Sequence, residues 1–166
     1  MPSPLLSIII PAFNEEARII NSLAIIEKHM GTMLFNWEVL IINDGSTDNT
    51  KNIIEEWATY RNHFKVKTIT HQGKGAAIKY GILNSNGKYQ FMCDADLSMP
   101  IEKISEFLNK MQEGYQIVIG SRQKIGARRF NEPHIRHILG RAFNLLIKSI
   151  LVKHIQDTQC GFKCFN

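Results

Sequence analysis

Apolar residues along this chain fall in short unbroken runs that alternate with stretches of helical spacing. Residues 5–10 are continuously apolar apart from Ser7, rich in Ile, and closed by Pro11. A run that short reads as a strand buried on both faces. Residues 15–30 follow with Ile19, Leu23 and Ile26 on one side, and Gly31 stands where a helix stops. Residues 37–42 predict a second buried strand, which runs into the turn cluster Asn43-Asp44-Gly45-Ser46. Ser46 or Thr47 is placed to cap a helix whose apolar positions are Ile53, Ile54 and Trp57. Residues 64–70 predict a third strand with Val66 and Ile69 as its main apolar residues. Gly73-Lys74-Gly75 then opens a short Ala-rich helix to about Leu83, and Asn86-Gly87 turns the chain into a fourth strand over 89–93. Pro100 suits the first turn of a helix that buries Ile104, Phe107, Leu108 and Met111. Residues 117–119 make a fifth strand, 123–133 a polar loop, and 135–152 a long helix. Strands alternating with helices predict one α/β domain over residues 1–166, its mostly parallel sheet flanked by helices.

Composition narrows the class without changing the fold. With 44% hydrophobic and 21% charged residues, the chain is neither disordered, collagen-like nor a disulfide scaffold. It holds no apolar run of membrane-spanning length, and residues 1–10 lack the charged start and cleavage site of a signal peptide. The expected location is therefore the cytoplasmic side. Cys93, Cys160 and Cys164 are odd in number and form no C-x-x-C, so they are expected to be reduced thiols. A zinc site on Cys160, Cys164 and His154 lacks a fourth ligand in the sequence. The net charge of +5 suits a phosphorylated substrate or an anionic lipid surface. No nucleic-acid partner is expected, because the basic residues form no dense patch with interleaved aromatics.

Ligands of an open parallel sheet bind beyond the carboxyl ends of its strands. The residues that follow the five strands are Pro11, Asn14, Glu15 and Glu16; Asp44 and Asp48; Gly73, Lys74 and Gly75; Asp94 and Asp96; and Ser121 and Arg122. Any one of these loops is a solvated turn on its own, but together they bring carboxylates, a Lys and an Arg to one edge. Asp94-Ala95-Asp96 can aim two carboxylates at one hard divalent cation, Mg²⁺ or Mn²⁺, which leaves room for phosphate ligands. Gly73-Lys74-Gly75 before a helix start offers amides and an ammonium to an anion, although it is neither a P-loop nor a dinucleotide fingerprint. Arg122 and Arg136 flank the polar loop and can clamp a phosphate. His137, Arg141, Asn144 and Lys148 form a polar stripe on an otherwise apolar helix, as on a helix lying at a membrane surface or on a core helix with one wet face.

Taken together these segments resemble the family 2 glycosyltransferases of the GT-A (Rossmann-like) fold, in the branch that acts on polyprenyl phosphates. The resemblance rests on residues 8–16 (IIIPAFNEE), 42–48 (INDGSTD), 73–77 (GKGAA), 94–100 (DADLSMP), 120–122 (GSR) and 157–163 (DTQCGFK), in family order. The last of these leans toward the dolichyl-phosphate β-glucosyltransferases rather than the mannose synthases. The resemblance implies a nucleotide-sugar pocket lined by Pro11, Ala12, Phe13, Glu15, Asp44, Lys74, Asp94 and Ala95. It implies a metal held by Asp94 and Asp96, and an acceptor phosphate held by Arg122 and Arg136. Asp96, Arg122 and Asp157 would serve catalysis, with Asp157 facing the reacting sugar.

The implied reaction moves a hexose from UDP-glucose, or alternatively GDP-mannose, to a polyprenyl or dolichyl phosphate at the cytoplasmic face of a membrane. It inverts the anomeric centre. Asn43 stands where the family often has Asp, and Ser98 where mannose synthases have Gln. The family's catalytic domain usually continues beyond the point matching Asn166, so the domain is expected to be C-terminally short. A sugar-phosphate nucleotidyltransferase is the competing enzyme, but it would need a Gly-rich basic signature after the first strand, where Pro-Ala-Phe-Asn-Glu-Glu stands instead. A domain that binds nucleotide sugars without turnover is the non-enzymatic alternative.

Overall fold

The computed structural model describes residues 3–121 and 160–166. Six strands form one sheet in the order β3-β2-β1-β4-β6-β5. They are β1 (Leu6–Ala12), β2 (Trp37–Asn43), β3 (Phe64–Thr68), β4 (Tyr89–Met92), β5 (Ile117–Ile119) and β6 (Lys163–Phe165). β1 pairs in parallel with both β2 and β4, and β2 in parallel with β3. β6 runs antiparallel to both of its neighbours, β4 and β5. The sheet is therefore mostly parallel, as expected, with one reversed strand that the sequence pattern does not announce. A three-residue strand has no periodicity to read, and β6 exists because Cys164 reaches across to pair with Phe91 on one side and Val118 on the other.

The apolar runs place side chains on both faces, since successive residues of a strand point to opposite sides. On one face, Leu6, Ile8 and Ile10 of β1 and Val39 and Ile41 of β2 pack against three helices: α1 (Ile19–Met30), α2 (Thr50–Ala58) and α4 (Ile104–Gln112). α1 contributes Ile19, Leu23, Ile26 and Met30, the stripe its spacing predicts. On the other face, Ile9, Leu40 and Ile42 meet Ala77 of α3 (Lys74–Leu83). β3 is an edge strand, and its exposed Lys65 and Lys67 discourage pairing with another chain.

Several boundaries differ from the sequence expectation. β1 runs to Ala12 instead of closing at Pro11, and β3 ends at Thr68 rather than at residue 70. α1 begins at Ile19 rather than Glu15, because the Glu15 carbonyl first accepts the amides of Arg18 and Ile19 in a turn. Ser46 and Thr47 do not cap α2, which starts after Asn49. The Ser46 hydroxyl instead accepts the Asn14 amide at 3.1 Å, and the Thr47 amide donates to Asn14 Oδ1 at 2.9 Å. Pro100 precedes a short 3₁₀ turn (Ile101–Lys103) instead of lying inside the helix.

At the edge of the sheet opposite the site, a polar cluster ties the α3–β4 loop down. Glu38 Oε1 accepts the Ser7 hydroxyl at 2.6 Å and the Asn86 amide at 2.7 Å, while Lys65 Nζ lies 2.7 Å from Oε2. Burial pushes the Glu38 carboxyl up, but Lys65, Ser7 and Asn86 together outweigh it and hold the pKa below the ordinary value of 4.5.

Candidate active site

The loops that leave β1, β2, β3 and β4 meet at the carboxyl edge of the sheet around an open cleft of about 340 Å³. Pro11, Ala12, Phe13, Glu15, Asp44, Lys74, Asp94, Ala95 and Asp96 all line it, as the sequence expects. Arg18 and His71 line it as well and had not been singled out. Each sits one helical turn or less from a residue that had been, Arg18 three positions after Glu15 and His71 three before Lys74. Arg122, Arg136 and Asp157, with the basic stripe of residues 137–148 and His154, lie outside the described residues.

The first two loops are laced into one unit. Asn14 adopts positive φ (54°) and spends its side chain on the β2–α2 loop. The amide of Glu15 donates to the Thr50 hydroxyl at 2.8 Å, and that of Asn49 to Glu16 Oε2 at 2.7 Å. Glu15 itself accepts Arg18 in a two-pronged ion pair, with Nη2 at 2.9 Å from Oε1. Such a fork fixes both side chains at the wall of the cleft.

Asp44 is only 2% exposed, and its carboxylate organises the third loop. Oδ1 accepts the Gln72 amide at 2.9 Å and Oδ2 the Gly73 amide at 2.8 Å. The same loop packs onto Gly45, whose φ is +67° and whose Cβ, if it had one, would lie 2.8 Å from the His71 nitrogen. Asn43 serves the turn, its Oδ1 accepting the Ser46 amide at 3.1 Å. The loop delivers Lys74 to the cleft at the start of α3, where the amides of Ala76 and Ala77 donate to the Gly73 carbonyl and those of Lys74 and Gly75 lie at the open end of the helix.

Lys74 Nζ lies 2.5 Å from Asp94 Oδ1. The contact is an ion pair by distance only, since Oδ1 is buried and accepts no well-directed hydrogen bond. Asp96 is exposed, and its Oδ1 accepts the Ser98 amide at 3.0 Å. Ser98 thus aims Asp96 through its backbone. Gly161 closes the floor beneath Asp94: a Cβ there would lie 2.0 Å from Asp94 Oδ2. The turn that carries Gly161 is pinned by Cys160 and Phe162, both buried.

Two carboxylates on alternate residues at one cleft, the first already holding the Lys74 ammonium, fit a hard divalent cation. Among the described residues no cluster of three or more metal-ligating side chains exists, so the remaining positions would fall to phosphate oxygens and water. Burial, with the charges of Asp94 and Asp96, pushes the Cys93 thiol far up, and burial pushes Cys164 up to about 12. All three cysteines are buried and none forms a disulfide.

A mostly parallel α/β sheet with a nucleotide-sized cleft and paired carboxylates at its carboxyl edge defines a GT-A glycosyltransferase architecture. The chain belongs to glycosyl transferase family 2, whose family model matches residues 7–166. It is 36% identical over 171 residues to a dolichyl-phosphate beta-glucosyltransferase of Trichomonas vaginalis, covering 95% of this chain and 50% of that protein. It is 34% identical to the Homo sapiens dolichyl-phosphate beta-glucosyltransferase, covering 99% of this chain and 55% of the human one. The chain thus spans about half the length of these relatives. Its fold matches the crystal structure of glucosyl-3-phosphoglycerate synthase from Mycobacterium tuberculosis in complex with Mn²⁺, UDP-glucose and phosphoglyceric acid. The TM-score is 0.68 at 20% identity, over 98% of this chain and 56% of that one.

Proposed function

We propose that residues 1–166 form a family 2 catalytic domain that transfers glucose from UDP-glucose to dolichyl or another polyprenyl phosphate. The observation that carries this reading is the convergence of Phe13, Asp44, Lys74, Asp94 and Asp96 on one cleft. It is joined by the similarity to relatives named dolichyl-phosphate beta-glucosyltransferases. Phe13 offers a ring face and Asp44 a carboxylate to the base. Lys74 and the first amides of α3 offer positive charge to the diphosphate. Asp94 and Asp96 would hold Mg²⁺ or Mn²⁺, which supplies charge neutralisation to the departing diphosphate.

The acceptor is already an anion, so the domain needs no strong general base. A phosphate oxygen of the lipid attacks C1 of the sugar, the C1–O bond to the diphosphate breaks, and UDP leaves with the electron pair. A single displacement turns an α-linked donor into a β-linked lipid phosphate sugar. The protein's part is to hold the two reactants in line and to meet charge as it develops. In this reading Arg122 and Arg136 hold the acceptor phosphate and Asp157 faces the sugar. The basic stripe 137–148 rests on the cytoplasmic face of the membrane, where each basic residue adds about 1 kcal/mol of attraction to anionic headgroups.

The test is to incubate the purified protein with dolichyl phosphate in vesicles, Mn²⁺, and either UDP-glucose or GDP-mannose, and to analyse the lipids by mass spectrometry. A hexosyl phosphate lipid made from UDP-glucose supports the proposal. A product made from GDP-mannose alone would overturn the sugar assignment. Donor binding without any lipid product would favour a binding domain.

A further inference from the structure

The transfer reaction proposed above has no use for the imidazole of His71, which lines the cleft. His71 stacks on Phe13, with ring centroids 4.2 Å apart and 25° between planes. Its Nδ1 lies 3.0 Å from Asp44 Oδ2 and 2.9 Å from the Asp44 carbonyl oxygen. Both partners are acceptors, so Nδ1 carries the ring hydrogen and donates it. These are the contacts a nucleobase would make in the donor site proposed above: a ring face on Phe13 and a ring N–H to Asp44.

The imidazole also obstructs that site. The other hydrogen bonds to the Asp44 carboxylate come from the loop's own backbone, the amides of Gln72 and Gly73. Asp44 is 2% exposed, and the imidazole holds the place beside Oδ2 that a base would need. Nor can a base slide between Phe13 and His71, because a third ring needs the outer two roughly twice a stacking distance apart. The His71 side chain itself is 54% exposed, so it can rotate outward into solvent. Its backbone need not follow, being held against Gly45 and by the amides that bind Asp44. The loop therefore keeps Lys74 in position while the ring leaves.

We infer that His71 is an internal stand-in for the nucleobase, occupying the base subsite in the nucleotide-free protein and yielding it contact for contact when the donor binds. This inference rests on the proposed placing of the base at Phe13 and Asp44. The exchange also selects the incoming ring. A base with a ring N–H donor, such as uracil or guanine, replaces the imidazole one for one. Cytosine presents an acceptor at the same position and would face the Asp44 carboxylate with a lone pair. The donor's apparent affinity is lowered by the fraction of molecules in which His71 is closed, so removing the ring should tighten binding.

The experiment compares UDP binding by calorimetry to the wild type, His71→Ala, Asp44→Ala and Phe13→Ala, with CDP as the mismatched nucleotide. His71→Ala is expected to bind UDP about threefold or more tightly, the factor by which a modest closing equilibrium lowers the open fraction. The histidine ring protons provide a second readout. Shielded by the Phe13 ring in the free protein, the His71 signals should move to free-imidazole positions as UDP is added. Unchanged or weaker UDP binding by His71→Ala, or His71 signals that stay shielded in the complex, would overturn the inference and make His71 a fixed wall of the pocket. That outcome leaves the base site intact provided Asp44→Ala and Phe13→Ala still lose affinity. If those two variants bind UDP as the wild type does, or the wild type binds neither UDP nor GDP, the donor-site reading itself fails and this inference with it.

Discussion

Replacing Gly161 by Ala tests whether the turn of residues 160–162 sets the position of Asp94, the first of the two carboxylates proposed to hold the metal. The added Cβ would lie 2.0 Å from Asp94 Oδ2, 2.5 Å from Cγ and 2.8 Å from Oδ1. An ordinary contact starts at 3.4 Å, so the two groups must part by well over 1 Å. The turn is the stiffer partner. Cys160 and Phe162 are buried on either side of Gly161, Phe162 packs edge-on against Phe91 at 5.2 Å, and its carbonyl accepts the Gly120 amide at 3.0 Å. Asp94 is half-buried and faces an open cleft, so its carboxylate is the group that moves. Crowding of this kind costs about 1–3 kcal/mol where the surroundings resist, which corresponds to a Tm lower by roughly 2–4 °C per kcal/mol in a protein of this size.

The functional loss should exceed the stability loss. A reacting group displaced by about 1 Å can cost on the order of 100-fold in rate, and the Mn²⁺-dependent increment of UDP-glucose affinity should fall at least about tenfold, or ~1.4 kcal/mol. The assay is calorimetry of UDP-glucose with and without Mn²⁺, beside thermal melts. Gly120→Ala is the control. Its Cβ would crowd Met99 at 2.7 Å and Cys160 at 3.0 Å, so it disturbs the same corner without touching Asp94. A folded Gly161→Ala protein with wild-type Mn²⁺ dependence would refute the reasoning, as would an equal loss of Mn²⁺ dependence in Gly120→Ala.

Three further outcomes are expected. Asp94→Asn and Asp96→Asn should each abolish the Mn²⁺-dependent part of donor binding; undiminished affinity in both, measured calorimetrically, would remove the metal from the site. Asp44→Ala strands the amides of Gln72 and Gly73, which costs about 1–3 kcal/mol. It should therefore lower the Tm and weaken binding of UDP even without its sugar, and a stability loss with unchanged UDP affinity would make Asp44 a loop anchor alone. Glu38→Gln should destabilise the protein by about 1.5–3 kcal/mol at pH 7, where the carboxylate accepts Ser7, Asn86 and Lys65. The folded pKa of Glu38 lies below 4.5, so this contribution is fully present above that pH and is lost as pH falls through the lowered value. Urea denaturation should show the gap between variant and wild type closing below pH 4.5, and a gap of the same size at both pH values would count against the role of this carboxylate.

Residues that act through their immediate neighbours were legible in the chain itself. The Ile-rich run ending at Pro11 could only be a strand buried on both faces, and Ile8 and Ile9 do face opposite cores. Asp94 and Asp96 announced themselves because an apolar strand delivers them together to the sheet's carboxyl edge, and any strand in a parallel sheet must end there. What eluded the sequence depends on partners distant along the chain. Ser46 carries the features of a helix cap, yet Asn14 claims its hydroxyl from another loop, because two loops on one edge must satisfy each other's polar groups. β6 is three residues with no pattern of their own, placed by the gap between β4 and β5. His71 and Gly161 look like ordinary loop residues until the fold brings one against Asp44 and the other under Asp94. Local spacing decides which face of an element is buried and where its loops emerge. Only packing across the sheet decides which side chain meets which in the cleft, since a contact between residues far apart in sequence leaves no periodic trace in either segment.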